Sequence, residues 1–253
     1  MAKAKPDPNV PPRPTKGGDK GVVREYVEAI GIALAVALLL RFFVIEAFKI
    51  PSGSMIETLN IGDFIFVNKL SYRAEIPYSL LWWRFPGGGT TLGEWDEPDQ
   101  GDIVVFRWPR DQTTDYIKRM VAVAGQTVEV RRNELFIDGE KLARSFEKSV
   151  TYHDQRCNEM KGRQYTERIG DKEYSVILGR GGGAYQNFGP IKVKPDHLFA
   201  MGDNRDNSSD SREWGQVPVH FVKGRALFVW LSIDPCADLA GRVRLSRIGT
   251  PVR

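Results

Sequence analysis

The hydrophobic pattern divides the chain into one long apolar run near the N-terminus and a later series of short runs. From residue 29 to residue 45 every position except Arg41 is apolar. At about 1.5 Å per residue, a helix of that length reaches roughly 25 Å, so flanking residues must join it to cross a hydrocarbon core near 30 Å. We therefore predict one transmembrane helix over residues 25–48.

A cleaved secretory signal is the competing interpretation of this run. The small-residue cleavage site that such a signal needs is missing, because bulky side chains from Phe42 to Ile45 follow the apolar centre. Residues 1–24, rich in Pro, Lys and Gly, are expected to form a disordered tail. The Lys and Arg residues before the run predict a cytoplasmic N-terminus, with the large C-terminal part outside.

The later runs have the composition of β-strands. They cover residues 63–70, 102–108, 116–124, 127–137, 197–201 and 225–233. Each is rich in Val, Ile and Phe, and Gly-Asp or Asp-Gly pairs supply turns. We predict a mostly β core from residues 49–140 and 191–253. The patterning weakens between them, so residues 141–190 are interpreted as an inserted cap.

A second irregular stretch, residues 71–100, concentrates aromatic side chains that include Trp82, Trp83 and Trp95. Such a loop beside a membrane segment can dip into the lipid headgroup region. Its rings can equally pack on the sheet as satellite core, and the sequence leaves both alternatives open.

Composition excludes several classes of function. The 36 basic and 32 acidic residues give a net charge of +4, and no Lys/Arg stripe with interleaved aromatics is present, so no nucleic-acid partner is expected. The two cysteines, Cys157 and Cys236, lack the Cys-x-x-Cys spacing of zinc ribbons and thioredoxin-like motifs. They could form a disulfide in an oxidising compartment, but nothing in the sequence places them within bonding distance.

Ser54 is the first candidate for chemistry, because it lies on a short turn directly after the apolar run. Pro51 and Gly53 flank Ser52 there, which holds the backbone in a tight loop. The turn can present a nucleophile or can be only a linker. A serine hydroxyl needs a neighbouring base to become a nucleophile. None of the three histidines, His153, His197 and His220, has a recognisable setting, and Ser54 lacks a Gly-x-Ser-x-Gly elbow.

Lys118 is the better candidate for that base. In the apolar strand-like run around it, alternation places Lys118 on one face and Arg119 on the other, so one of the two cations must share its face with hydrophobic residues. Burial disfavours the charged ammonium and leaves an amine that can accept a proton. The alternative is that both cations reach solvent.

A polar segment, residues 201–212, is dense in Asp and Asn. A calcium loop does not fit it, because Arg205 occupies the third position from Asp203. We therefore predict no metal here. A loop that hydrogen-bonds to itself and supports something nearby fits better.

Four short motifs then occur in order after the apolar run. They are Pro51-Ser-Gly-Ser-Met55, Gly101-Asp-Ile-Val-Val-Phe106, Tyr116-Ile-Lys-Arg119 and Gly202-Asp-Asn-Arg-Asp-Asn-Ser-x-Asp-Ser-Arg212. Together they resemble the conserved boxes of bacterial type I signal peptidases (leader peptidases), which are Ser-Lys dyad serine proteases. The resemblance covers residues 48–248. It departs from the family pattern at Glu57, where a proline is usual.

The resemblance implies a role for each matching residue. Ser54 corresponds to the nucleophile and Lys118 to the general base. Ser208 corresponds to the serine that orients the lysine, and Ser52 completes an oxyanion hole with the backbone N–H of Ser54. The supporting charge network comprises Arg119, Asp210 and Arg212. The positions that line substrate pockets are Ile50, Met55, Leu59, Tyr116 and Ile117, for which ordinary core packing is the alternative.

The fold implied is a membrane-anchored antiparallel β catalytic core with an inserted β cap and one N-terminal transmembrane helix. The function implied is an endopeptidase that removes signal peptides after Ala-x-Ala, at the outer face of the bacterial inner membrane. Its partners would be signal peptides of exported preproteins and the lipid bilayer, with no cofactor and no metal. Two alternatives stay open: a specialised peptidase of the same fold with a single secreted or pilin substrate, and a non-enzymatic anchored binding module.

Overall fold

The computed structural model describes most of the chain. The described residues are 19–76, 90–179, 183, 185–239 and 241–253. The predictions made for residues 1–18 and for Trp82 and Trp83 lie outside them. The chain divides into two compact units, one ending at Leu40 and one beginning at Arg41.

An N-terminal helix, α1, runs from Asp19 to Phe43. It begins earlier than the predicted span over residues 25–48. It also ends earlier, because Ile45–Lys49 pairs as a strand with Asp63–Asn68. In the described part of the chain, no helix combines the length and the hydropathy of a membrane crossing.

The second unit is built from antiparallel strands joined by short turns. The strands are β1 Ile45–Lys49, β2 Asp63–Asn68, β3 Arg73–Ile76, β4 Thr90–Glu94, β5 Ile103–Arg107, β6 Asp115–Ala122, β7 Thr127–Arg131, β8 Glu134–Ile137, β9 Glu140–Lys141, β10 Arg144–His153, β11 Glu159–Ile169, β12 Lys172–Gly179, β13 Phe188–Lys192, β14 His197–Met201, β15 Val217–Pro218 and β16 Val222–Ser232. The helical turns are Gly53–Met55, α2 Ser211–Trp214, Val219–Phe221 and Leu245–Arg247.

The main sheet has the strand order β1-β2-β16-β5-β6-β14-β15. Three smaller sheets, β10-β11-β12, β13-β7-β8-β9 and β3-β4, complete the unit. The prediction of a mostly β, antiparallel fold is confirmed. The order matters for the site because β6, which carries Lys118, pairs with β5 on one edge and with β14 on the other edge only from Arg119 onward.

Two predicted segments have more structure than their sequence suggested. Residues 127–137 form two strands, because Arg132 and Asn133 both have positive φ and close a two-residue hairpin turn. Residues 71–100, predicted to be irregular, contain the paired strands β3 and β4. Trp95 at the end of that hairpin is 57% exposed, so it is not part of a satellite core.

The predicted cap, residues 141–190, contains the three-stranded sheet β10-β11-β12. Most of β10 is exposed on both faces, which explains the weak hydrophobic pattern there. The other end of this sheet is buried: Ile169, Tyr174 and Val176 share one hydrophobic cluster with Val121 and Phe199 of the main sheet. This three-stranded sheet therefore packs on the same core as the strands that flank it in sequence.

Cys157 and Cys236 form a disulfide with an S–S distance of 2.08 Å. The bond ties the turn between β10 and β11 to the segment that follows β16. Because the two cysteines are separated by 79 residues, their spacing in the sequence carried no signal of this pairing.

The outer face of β2 and β16 carries a patch of four aromatic rings. Phe64 and Phe66 of β2 pack against Phe228 and Trp230 of β16, with ring centroids 5.5–5.7 Å apart. Phe228 and Trp230 remain more than a third exposed. We refer to these four residues as the aromatic patch.

Candidate active site

Ser54 lies in the short helical turn Gly53–Met55, inside a loop that β1 and β2 close at both ends. The backbone N–H of Ile50 donates to Asp63 O at 2.8 Å, and that of Gly62 donates to Ile50 O at 2.9 Å. These bonds fix residues 50–63, which we call the serine loop. Met55 and Leu59 are completely buried beneath it, so the loop is held by packing as well as by hydrogen bonds.

Lys118 reaches the serine loop from β6. Its Nζ lies 2.8 Å from Ser54 Oγ and also donates to the carbonyl oxygen of Ile117 at 2.9 Å. Lys118 is 4% exposed and Arg119 is fully buried. The alternative in which both cations reach solvent is therefore wrong, and the structure brings Ser54 and Lys118 together.

Burial also changes the charge state of this amine. Desolvation lowers the pKa of Lys118 from 10.5 to about 8, although the charges of Asp210 and Asp203 oppose the shift. At pH 7 about one amine in ten is then neutral, against roughly one in three thousand for a pKa of 10.5. A neutral amine at this distance can accept the hydroxyl proton of Ser54, which an ammonium cannot do.

Two further serines flank Ser54. Ser52 Oγ lies 3.5 Å from Ser54 Oγ, at the limit of a hydrogen bond. Ser208 Oγ is buried and makes no hydrogen bond of regular geometry among the described residues, although it lies close enough to Asp210 to help lower the pKa of that carboxyl. Its predicted bond to Lys118 is not formed. Ser208 nevertheless lies near the Ser54 backbone, because a Cβ placed on Gly202 would lie 2.2 Å from Ser208 Oγ and 2.5 Å from Ser54 O.

The predicted charge network is split into two separate pairs. Asp210 accepts from Arg212 Nε at 2.8 Å and Nη2 at 2.7 Å, and from the backbone N–H of Gly202 at 3.0 Å. Burial alone raises the pKa of Asp210, but these bonds and the charge of Arg212 outweigh it, and the pKa is lowered overall. Asp210 therefore stays ionised beside the site.

Arg119 does not join that pair, contrary to the expected single network. Its Nε and Nη2 donate to the carboxylate of Asp203 at 2.9 and 2.8 Å. The same carboxylate accepts from the Thr58 hydroxyl at 2.5 Å. Asp203 thus connects the serine loop to the residue that follows Lys118, a role that the sequence did not assign to it.

Asn204 is a second residue that sequence reasoning missed. Its backbone N–H donates to Ser54 O at 3.0 Å, and its side-chain Nδ2 donates to Gly53 O at 3.0 Å. Asn204 is fully buried, so water cannot replace these bonds. Asn204 lies in the fourth motif and in the polar segment 201–212, which predicted support for something nearby without naming this residue or its partner.

The five predicted pocket residues occupy different environments. Ile50, Met55 and Leu59 belong to one buried hydrophobic cluster and are at most 2% exposed, as the core alternative expects. Tyr116 and Ile117 are half-buried and present surface beside Lys118. Substrate contact by all five stays a prediction.

The three histidines contribute nothing to this site. His197 contacts the carbonyl of Pro195, and His220 packs on Phe221. No described hydrogen bond joins His153, His197 or His220 to Ser54 or Lys118, so the lysine is the base within reach.

Comparison with known proteins points to one family. A family model described as "Signal peptidase, peptidase S26" matches residues 23–231. The chain is 36% identical to signal peptidase I of Pseudomonas fluorescens, over 89% of this chain and 78% of that protein. It is 33% identical to signal peptidase I of Pseudomonas aeruginosa, over 96% of this chain and 84% of that protein. A solved signal peptidase I from Enterococcus faecalis V583 is 27% identical and covers 51% of this chain and 97% of its own; its TM-score of 0.31 gives it no weight here.

We predict that Gly202→Ala displaces the serine loop. The added methyl group would overlap Ser54 O and Ser208 Oγ, and overpacking of this kind typically costs about 1–3 kcal/mol. Thermal unfolding should therefore begin roughly 2–10 °C lower than in the parent. Gly93→Ala is the matched control, because a Cβ there meets nothing within 4 Å. Equal unfolding temperatures for the two variants would show that the close approach at Gly202 is not restrictive.

Proposed function

Because the chain belongs to the signal peptidase family, peptidase S26, we propose that Ser54 and Lys118 are its catalytic nucleophile and general base. Membership makes the protein a serine endopeptidase that cleaves signal peptides from preproteins. The observation that carries the residue assignment is the 2.8 Å separation of Lys118 Nζ and Ser54 Oγ. Burial of the amine, which keeps part of it neutral, supports the same assignment.

The reaction begins when Ser54 Oγ attacks the carbonyl at the cleavage site and neutral Lys118 takes the hydroxyl proton of Ser54. Collapse of the tetrahedral intermediate breaks the peptide bond, and the lysine ammonium returns its proton to the leaving amine. Lys118, neutral again, then activates the water that hydrolyses the acyl-enzyme. Each proton that the amine accepts is released in the following step.

The negative charge of the tetrahedral intermediate needs hydrogen-bond donors placed before it forms. Ser52 is the proposed side-chain donor, together with the backbone N–H of Ser54. The distance of 3.5 Å between Ser52 Oγ and Ser54 Oγ supports this role. When Ser54 attacks the substrate carbonyl carbon, the carbonyl oxygen would also lie beside Ser52. Asn204 fixes the carbonyls of Gly53 and Ser54, which sets the orientation of this loop.

Ser208 is proposed to orient the lysine amine. Its buried hydroxyl lies beside Gly202, next to the Ser54 backbone, and close to the Asp210 carboxylate. A hydroxyl that donates to Asp210 keeps its lone pairs free, so a small rotation would let it accept a third hydrogen bond from the Lys118 amine.

The substrate is proposed to bind as an added strand along the first half of β6. β14 pairs with β6 only at Arg119, Met120 and Ala122, so the described pairings of Asp115–Lys118 are with β5 alone. An extended peptide can pair with such an edge and place alternate side chains in shallow pockets. Half-buried Tyr116 and Ile117 flank that edge, which suits the small side chains of Ala-x-Ala.

The protein is further proposed to be anchored in the bacterial inner membrane, with its N-terminus in the cytoplasm and the β unit outside. The basic residues that precede α1 support the orientation. The disulfide supports an oxidising location for the β unit. The partly exposed aromatic patch supports contact with the lipid surface, where such rings are favoured.

Cleavage of a preprotein carrying Ala-x-Ala tests the dyad. We expect Ser54→Ala and Lys118→Met in the full-length chain each to lower the rate by at least about 10³-fold, with thermal unfolding still cooperative. Lys148→Ala is the control. Lys148 is exposed on β10, so this variant should cleave at the parental rate. Cleavage by Lys118→Met within tenfold of the parent would remove the lysine from the mechanism. Absence of cleavage by the parent itself, on several unrelated preproteins, would favour the specialised peptidase or the binding module.

Cell fractionation tests the location. The chain should stay in the membrane pellet after alkaline carbonate washing. When an alkylating reagent is added at lysis without reductant, the two cysteines should remain unmodified, because they are paired. Cys157→Ser checks the assay, since it leaves Cys236 free to react. Release from the pellet would contradict the anchor, and alkylation of both cysteines in the parent would contradict the outer location.

A further inference from the structure

A cavity of about 190 Å³ adjoins the serine loop. The loop supplies Ile56 and Glu57, the end of β10 supplies Tyr152 and His153, and the segment after β16 supplies Asp234 and Arg244. Drug-sized ligands occupy pockets of roughly 300–1,000 Å³. This smaller cavity therefore suits a single side chain.

The cavity wall is held in place by covalent and polar contacts. Cys236 lines the cavity, and its disulfide ties the segment after β16 to the turn after β10. Arg244 donates from Nη2 to Ile61 O at 2.6 Å and from Nε to Ser232 Oγ at 2.7 Å. These contacts join the three walls, so the cavity is a formed part of the fold.

Glu57 is the one carboxylate of this cavity with neither a hydrogen bond nor an ion pair among the described residues. It is half-buried. Asp154 accepts the backbone N–H groups of Arg156 and Asn158, at 2.8 and 2.9 Å. Asp234 accepts the backbone N–H of Cys236 at 2.9 Å and lies 3.6 Å from Arg244.

The charges in the cavity favour a cation. Three carboxylates, those of Glu57, Asp154 and Asp234, line the same space as one guanidinium, that of Arg244. Arg244 is shared with Asp63, 3.4 Å away, so it neutralises the cavity only in part. A positively charged side chain matches both this excess of carboxylates and the volume of the cavity.

The position of the cavity indicates where that side chain comes from. Ile56 and Glu57 lie two and three residues after Ser54 in the serine loop. Tyr152 on another wall donates to Asn204 Oδ1 at 3.4 Å, and the backbone N–H of Asn204 donates to Ser54 O. A substrate held along β6 with its scissile carbonyl at Ser54 continues past the serine with the residues that follow the cut.

We propose that this cavity is a subsite for a Lys or Arg side chain in the first residues of the mature segment, with Glu57 as the residue that selects it. This inference rests on the proposed function, because it assumes cleavage at Ser54. The subsite gives the enzyme a charge preference downstream of the cut, in addition to small side chains upstream of it.

Preproteins that differ at one position after the cut test the proposal. Lys, Gln or Glu is placed in turn at each of the first four positions, and kcat/KM is measured with the full-length parent. At one of these positions we expect Lys to exceed Gln by roughly two- to fivefold, the upper part of the range for an exposed ion pair, and Glu to be the poorest. In Glu57→Gln the Lys-to-Gln ratio should fall to about one, and in Glu57→Lys the order of Lys and Glu should reverse.

Glu140→Gln is the matched control, because Glu140 is exposed on β9 and does not line the cavity. It should keep the parental ratios. A parent without any Lys preference, or a preference that survives in Glu57→Gln, overturns the subsite while leaving cleavage intact. Failure of the parent to cleave the Gln preproteins overturns the proposed function itself, and the subsite with it.

Discussion

The desolvation of one lysine amine is the constraint on which the proposed site depends. An ammonium group buried at Lys118 is destabilised by roughly 3 kcal/mol relative to water if its pKa falls from 10.5 to about 8. Two carboxylates, Asp203 and Asp210, act against that shift. Each is held by its own arginine, Arg119 for Asp203 and Arg212 for Asp210. The arginines hold both carboxylates in place without contacting Lys118, and the effect of burial on the pKa of Lys118 outweighs the effect of the two carboxylates.

The remaining requirement is geometric, since a neutral amine is useful only within reach of the hydroxyl. Ser54 and Lys118 lie on elements that are distant in sequence, and residues 202–204 join them. Gly202 allows the close approach, Asn204 holds the carbonyls of Gly53 and Ser54, and Asp203 links Thr58 to Arg119. Because these groups are buried, their hydrogen bonds are not exchanged with water. The polar loop that holds Ser54 and Lys118 in place also carries Asp203, whose charge acts on the lysine amine.

The sequence predicted the parts of this arrangement that leave a local signal. The half-buried strands around Lys118 were visible as apolar runs, and the ordered motifs led to Ser54 and Lys118. The sheet β10-β11-β12 was not visible, because strands exposed on both faces carry no alternation of apolar and polar residues. The disulfide and the Asp203–Arg119 pair join residues far apart in sequence, and no spacing rule identifies such partners. Arg119 was therefore grouped with Asp210 and Arg212, whereas the structure pairs it with Asp203. Asn204 was passed over because its contacts with the carbonyls of Gly53 and Ser54 are not revealed by composition.

The most direct test of this account is the titration of the Lys118 amine itself in the intact protein. Lysine labelled with ¹³C at Cε reports each amine by NMR, and the Lys118 signal is identified by its loss in Lys118→Arg. The account predicts a midpoint near pH 8 for Lys118, about two units below the value of roughly 10.4 for a lysine in a model peptide. A Lys118 midpoint within about half a unit of that model value would contradict the account, because the amine would then be charged at the pH where the enzyme works.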